Sequence, residues 1–508
     1  MITTNEKIGH LISQIRRERL LTQTEFARLL KTSQSAVNRI EHGNQNLSLE
    51  MLGRISDVLN KQLISVNEDG VNLRIEGGNE LKGEIVLKTS KNAAVGLLCA
   101  SLLNHGTTLF KHFPRIEEVY RIIEVLESMG VNVKWLENND LEIKRPKNLD
   151  INHINTVSAK KTRSVLMLIG PLIHEFKEFK LPYAGGCKLG KRTIEPHLFA
   201  LQELGVDIQA SNENYLITTI KTTPKRITLY ERGDTATENV LMAVSKFNSE
   251  IIIDFASANY AIQEVCLYLK KLGIKIEGIG TTTLKVTGNP QVIKKKITYW
   301  PSEDPVEAMF FTATAITTNS ELKIKRVPID FMAMEIVKLK KMGVRLKMSE
   351  RYKAENGFTD LVDLTIYKHR DGELRALSDS IHSQPYPGLN TDNLAYFVPI
   401  ATQLRGRTLI HDWMYNNRAI YFTELAKIGA QIELADPHRV FIDGPTSFKP
   451  ADLVCPPALR PASLLLIGML AAKGKSMLRN VYTINRGYED LAERLNQLGA
   501  KIQVIHEL

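Results

Sequence analysis

Along most of the chain, apolar positions recur at helical spacing and then switch to alternation. The same phrase marks each switch: Leu-x-x-(Leu/Met/Ile)-Gly-x-x-(Val/Ile/Leu). Its glycines are Gly130, Gly205, Gly273, Gly343, Gly429 and Gly499, at intervals of 75, 68, 70, 86 and 70 residues. Spacing of three and four followed by period two predicts a helix, a glycine at positive φ that ends it, and a strand. Common solenoid repeats run to roughly 20–50 residues, so each of these longer units is expected to hold its own small sheet and helices. Such junctions occur singly in any α/β protein. Six in near-constant register specify an array, which is architecture and not yet chemistry.

The first 65 residues break this pattern. Short amphipathic stretches separated by polar turns predict a separate all-α module over residues 1–66, with helices at Ile8–Glu18, from Thr22, at Gln34–His42 and at Ser48–Leu59. Thr22 and Glu25 form a capping box, Ser33 caps the next helix, and Gly43 stops it. In that helix Ala36, Val37 and Ile40 face inward, while Gln34, Ser35, Asn38 and Arg39 face out. Amides suit adenine, and Arg suits guanine or phosphate, in a DNA major groove. The polar NEDG and the strand-like LRIEGG place the boundary between Ser65 and Asn72, so the second region is 72–508.

Composition narrows the class. With 508 residues, 43% of them hydrophobic, the chain is long enough for about three domains. No stretch approaches the roughly 20 apolar residues of a membrane span, and MITTNEKIGH lacks the apolar centre of a signal peptide, which predicts a cytoplasmic protein without a membrane partner. Cys99, Cys187, Cys266 and Cys455 lie far apart, so neither a metal site nor a disulfide framework is expected, and no cofactor. A net charge of +10 favours acidic partners: nucleic acid or a phosphorylated small substrate. Residues 1–65 carry nine Lys/Arg against six Asp/Glu, so most of the excess lies in the larger region.

Three segments there invite chemistry. Ser90-Lys91-Asn92 heads a helix, where free N–H groups add to the lysine charge. Thr162-Arg163-Ser164 precedes the apolar run VLMLIGPL. In Tyr183-Ala-Gly-Gly-Cys187-Lys-Leu-Gly-Lys-Arg192, glycines flank a cysteine whose thiolate the nearby cations would favour, fit for a nucleophile or a proton donor.

Two resemblances follow. RRERLLTQTEFARLLKTSQSAVNRIEHG resembles the helix-turn-helix of Cro and phage-repressor type regulators, with Lys31 where that family often has glycine. It implies Gln23 at a phosphate, Gln34, Ser35 and Asn38 at base edges with Arg39 beside them, double-stranded DNA as partner and a homodimer reading two half-sites. A helical bundle for dimerisation or protein contact remains the alternative. LKTSKNAA, TRSVLMLIGPL, GGCKLGKR, DPVE (304–307), YNNR (415–418), ALRPAS (458–463) and INRGYE (484–489) together resemble the UDP-N-acetylglucosamine 1-carboxyvinyltransferases. That family implies an α/β (α+β) inside-out barrel of two globular halves with three repeated units each: 72–90 with about 300–508, and about 91–299. It implies transfer of an enolpyruvyl group from phosphoenolpyruvate to UDP-N-acetylglucosamine, the first committed step of peptidoglycan precursor synthesis. Cys187 would be the acid and Asp304 the hydroxyl base. Lys91, Arg163, Arg192, Arg460 and Arg486 would clamp anions; Asn92, Met414, Tyr415 and Arg418 would meet or support the sugar nucleotide. Ala458 and Glu231 depart from the family pattern, which has Asp and Lys there. They leave open a second reading, a sugar-nucleotide-sensing regulator with impaired catalysis.

Overall fold

The computed structural model describes residues 9–10, 12–13, 16–17, 21–45, 47, 51, 54–55, 58, 71–185, 193–211, 213–220 and 222–506. The chain divides into two compact units, one reaching Val71 and one spanning Asn72–Ile505.

In the first unit, helices Gln23–Leu29 and Gln34–Glu41 form where the capping residues place them. Thr22 and Glu25 satisfy each other's backbone N–H groups in the capping box, and the Ser33 hydroxyl accepts from Ala36 N–H. The turn between them holds Lys31 at φ 53°, a left-handed conformation more at home in glycine. Phe26, Ala27, Leu30, Val37 and Ile40 pack with Ile12 and Ile55 into a small core. Arg16 is buried against Glu41 (Nε–Oε1 2.5 Å) and ties the two-helix motif to the preceding segment. Much of the helices expected at Ile8–Glu18 and Ser48–Leu59 lies outside the described residues.

In the second unit the repeat phrase does what its chemistry requires. All six repeat glycines have positive φ, from 76° at Gly205 to 103° at Gly429. Each follows a helix and precedes a strand, as in Tyr260–Leu272 before Lys275–Glu277 and Leu491–Gln497 before Lys501–His506. One of these helices, Ala419–Ile428, is wound as a 3-10 helix. The described strands form six small sheets.

Three sheets are built from residues 107–299. The other three use strands after residue 320 together with Val71–Gly77, which pairs with Gly474–Arg479, and Lys82–Val86, which pairs in parallel with Glu321–Pro328. The chain therefore passes twice between the two sets, and the passages are bridged at Thr89 and Glu303. Helices Lys91–Ser101, Pro305–Thr317 and Leu459–Ala471 are buried along nearly their whole length. This explains why they read as continuous apolar runs and not as amphipathic stripes. Among the described residues, no helix is long and apolar enough to cross a membrane.

Candidate active site

Helix starts supply much of the principal cleft of the second unit, a cavity of about 690 Å³. Ser90 caps the helix that carries Lys91 and Asn92, Thr162 caps the turn that carries Arg163, and Leu459-Arg460 open a 13-residue helix. Lys91, Arg163, Arg460 and Arg486, distant in sequence, all line the cavity. Lone cations gathered in one place repel one another, and carboxylates hold this group together. Buried Glu118 accepts from Arg486 (2.6 Å) and from the Thr162 hydroxyl (2.5 Å). Burial pushes the Glu118 carboxyl up, but Lys91 and Arg486 outweigh it and hold it below the usual range. Burial also lowers the Lys91 ammonium, opposed by Glu118.

Arg460 donates to Asp392 (Nη2–Oδ2 3.0 Å), whose carboxyl also lines the cavity. Burial alone would raise Asp392, but Arg460 and Arg418 hold it well below the ordinary carboxylate range. Arg418 is itself buried: it donates to Asp412 and to Thr391 and stacks on Tyr415 at 4.5 Å. It supports the cleft wall of Met414 and Tyr415 from behind. Asn92 lies in the cleft and donates to the Tyr260 hydroxyl (2.9 Å).

Asp304 is placed differently from the other expected residues. It is 9% exposed, does not line the cavity, and caps the helix that follows it, accepting from Val306 N–H (2.7 Å) and Lys91 N–H (3.2 Å). Burial raises its carboxyl to about 6, against the pull of Arg460. Cys187 and Arg192 lie outside the described residues. Ala458 occupies the cap position of its helix without any group to accept a hydrogen bond, and Glu231 lines the cavity.

Sequence reading missed Asp392, Glu118, Asp234 and Glu238. Asp392 had a signal: Asn390-Thr-Asp heads an apolar run much as Asp304 does. Glu118 had none, because its partner Arg486 is 368 residues away.

On the first unit, Gln34, Ser35, Asn38 and Arg39 are exposed on one helix. Gln23 is half-buried and links elements: it donates to Glu41 (2.8 Å) and accepts from Gln34 (2.7 Å).

Comparison with known proteins agrees with both units. Residues 75–495 match the family described as EPSP synthase (3-phosphoshikimate 1-carboxyvinyltransferase), and residues 12–64 match the helix-turn-helix family. The chain is 32% identical over 431 residues to a UDP-N-acetylglucosamine 1-carboxyvinyltransferase of Treponema denticola, covering 85% of this chain and 98% of the relative. It is 32% identical over 440 residues to that of Porphyromonas gingivalis, covering 84% and 98%. Among solved structures, the enolpyruvyl transferase NikO from Streptomyces tendae superposes with a TM-score of 0.75 at 20% identity, covering 87% of this chain and 100% of that one. An EPSP synthase from Acinetobacter baumannii gives 0.66 at 19%, covering 86% and 100%. The chain belongs to the EPSP synthase family of enolpyruvyl transferases and carries an N-terminal helix-turn-helix domain.

Proposed function

We propose that the second unit transfers the enolpyruvyl group of phosphoenolpyruvate to a hydroxyl of UDP-N-acetylglucosamine and releases phosphate, with its six helix-strand units arranged as two halves of three in an inside-out barrel. The observation that carries this reading is the convergence of Lys91, Arg163, Arg460 and Arg486 on one cleft beside the ionised Asp392. Phosphoenolpyruvate bears a phosphate and a carboxylate, and Arg can meet each with two parallel hydrogen bonds. Protonation of its methylene carbon leaves a cationic C2. The acceptor hydroxyl then adds there and gives up its proton, and loss of phosphate with one methyl proton restores the double bond. The steps need one acid and one base.

Cys187 is the acid in this scheme, on the strength of the resemblance. For the base there are two carboxylates. Asp304 has the pKa suited to the task, but both its oxygens are engaged by backbone N–H groups. Asp392 faces the cavity, so the hydroxyl contact is assigned to Asp392 and the placing of Lys91 to Asp304. No cofactor enters the scheme. The test is phosphate release from phosphoenolpyruvate with UDP-N-acetylglucosamine, where the wild-type chain should exceed Cys187→Ala by at least about a hundredfold. Equal rates would refute the transfer.

For the first unit we propose docking on double-stranded DNA as a homodimer, with Gln34, Ser35, Asn38 and Arg39 at base edges. The exposed amides, hydroxyl and guanidinium on one helix support it. The regulator reading is favoured by Glu231 in the cleft and the bare cap at Ala458. It requires the sugar nucleotide to change DNA affinity, because coupling needs unequal binding to two states. Identical retention of DNA with and without it would remove that reading.

A further inference from the structure

The consecutive residues Arg486-Gly487-Tyr488-Glu489 send their side chains to different places. Arg486 lines the cavity and donates to Glu118 at 2.6 Å. Tyr488 is buried, shares a hydrogen bond with the Tyr396 hydroxyl, and accepts from Arg460 Nη1 at 3.4 Å. Glu489 does not line the cavity, yet it is only 5% exposed and the partners described for it are all donors. Its Oε1 accepts from Lys88 Nζ (2.8 Å) and the Asn139 amide (3.0 Å), and its Oε2 from Arg115 N–H (2.8 Å).

Arg115 and Asn139 belong to the set of sheets built from residues 107–299, whereas Arg486 and Glu489 follow strand Gly474–Arg479 of the other set. Glu118 lies three residues beyond Arg115, so the contact is reciprocal. At one end of the segment a guanidinium crosses to a carboxylate; at the other a carboxylate crosses back to a backbone N–H. Two such points set the orientation of a short segment as well as its position. The receiving side is itself held in place: the Arg115 guanidinium lies over the Trp135 ring at 4.7 Å, and Asn139 takes φ 59°. Asp490, directly after the carboxylate, takes φ 47°. Left-handed backbone in residues other than glycine persists where the surroundings impose it. A carboxylate suits this position because both of its oxygens accept. A Gln amide, flipped either way, sets its NH2 against a donor.

We propose that Glu489 is a positioning residue for phosphoenolpyruvate: by docking the segment Arg486–Glu489 on the opposite set of sheets, it fixes where the Arg486 guanidinium stands in the cleft. This rests on the transfer reading above and adds a residue that touches neither substrate.

The test is equilibrium binding of phosphoenolpyruvate and, separately, of UDP-N-acetylglucosamine to the full chain. Glu489→Gln should weaken phosphoenolpyruvate about tenfold, since a misplacement of about 1 Å costs that much or more. Asn139→Asp, which suits the left-handed backbone but sets a second carboxylate against Glu489, should act in the same direction. UDP-N-acetylglucosamine should bind both variants within about twofold, which confirms folding, because a purely structural role would not select one ligand. In an Arg486→Ala background Glu489→Gln should add less than about twofold, because residues that act through one another are not additive. Unchanged phosphoenolpyruvate affinity in a folded Glu489→Gln chain would overturn the proposal, as would equal weakening of both ligands or an undiminished effect in the Arg486→Ala background. These titrations need no turnover. Glu489-dependent phosphoenolpyruvate binding in a chain that releases no phosphate would sink the transfer reading alone, and turnover with a phosphoenolpyruvate KM indifferent to Glu489→Gln would sink this proposal alone.

Discussion

The cleft holds two groups of carboxyls with opposite fates. Glu118 and Asp392 are paired with Arg486 and Arg460 and stay ionised despite burial. Asp234 and Glu238 have no cation partner of that kind, and burial drives them toward the protonated form. The residue type is the same and the cavity is the same. What differs is the neighbour: a guanidinium holds the first group ionised, and without one burial decides the state of the second.

The comparison breaks most severely if the ionised group loses its anchor. Glu118→Ala leaves Lys91 and Arg486 facing each other without compensation, and the stability lost should be about 3–5 kcal/mol, read as a lower denaturant midpoint. Removing the assigned base comes next. Asp392→Asn should lower kcat by about 10²–10⁴-fold with little change in KM for phosphoenolpyruvate. Asp304→Asn should act mainly by displacing Lys91 and raise that KM; if Asp304→Asn instead abolishes the acidic limb of the pH–rate profile and Asp392→Asn does not, the two roles are exchanged.

How much of this was legible in the residues depended on whether the cause was local. The six glycines, the Thr22 and Ser33 caps and the cation-bearing helix starts are consequences of a few adjacent residues, and the structure places them where spacing does. Charge pairing is not local. Arg460 meets Asp392 from 68 residues away, so the Asn390-Thr-Asp turn could mark a helix start but not that Asp392 would be ionised there. Asp304 was expected to face substrate, and instead its capping geometry turns it toward backbone N–H groups. Lys31 shows local preference overridden: the turn takes a positive φ there even though the residue is not glycine.

Two smaller effects sharpen the contrast. Gly96→Ala would thrust a methyl group against Glu238 and Val265, and should cost about 1–3 kcal/mol in thermal or chemical unfolding. The pH dependence separates the groups by sign. Glu238 keeps its proton in the fold, so above the unfolded value of about 4.3 the native state binds the extra proton and stability falls as pH rises toward the folded value. Glu238→Gln should flatten that decline. Glu118 behaves oppositely: its contribution is full above about 4.3 and is lost as pH falls through its depressed folded value.

The most direct measurement is mass spectrometry of the acceptor after incubation of the full chain with phosphoenolpyruvate and UDP-N-acetylglucosamine. The account predicts the enolpyruvyl ether of the sugar nucleotide, formed together with an equal amount of phosphate and at least about a hundredfold more slowly with Asp392→Asn. Unmodified acceptor from a wild-type chain that binds both substrates would contradict it.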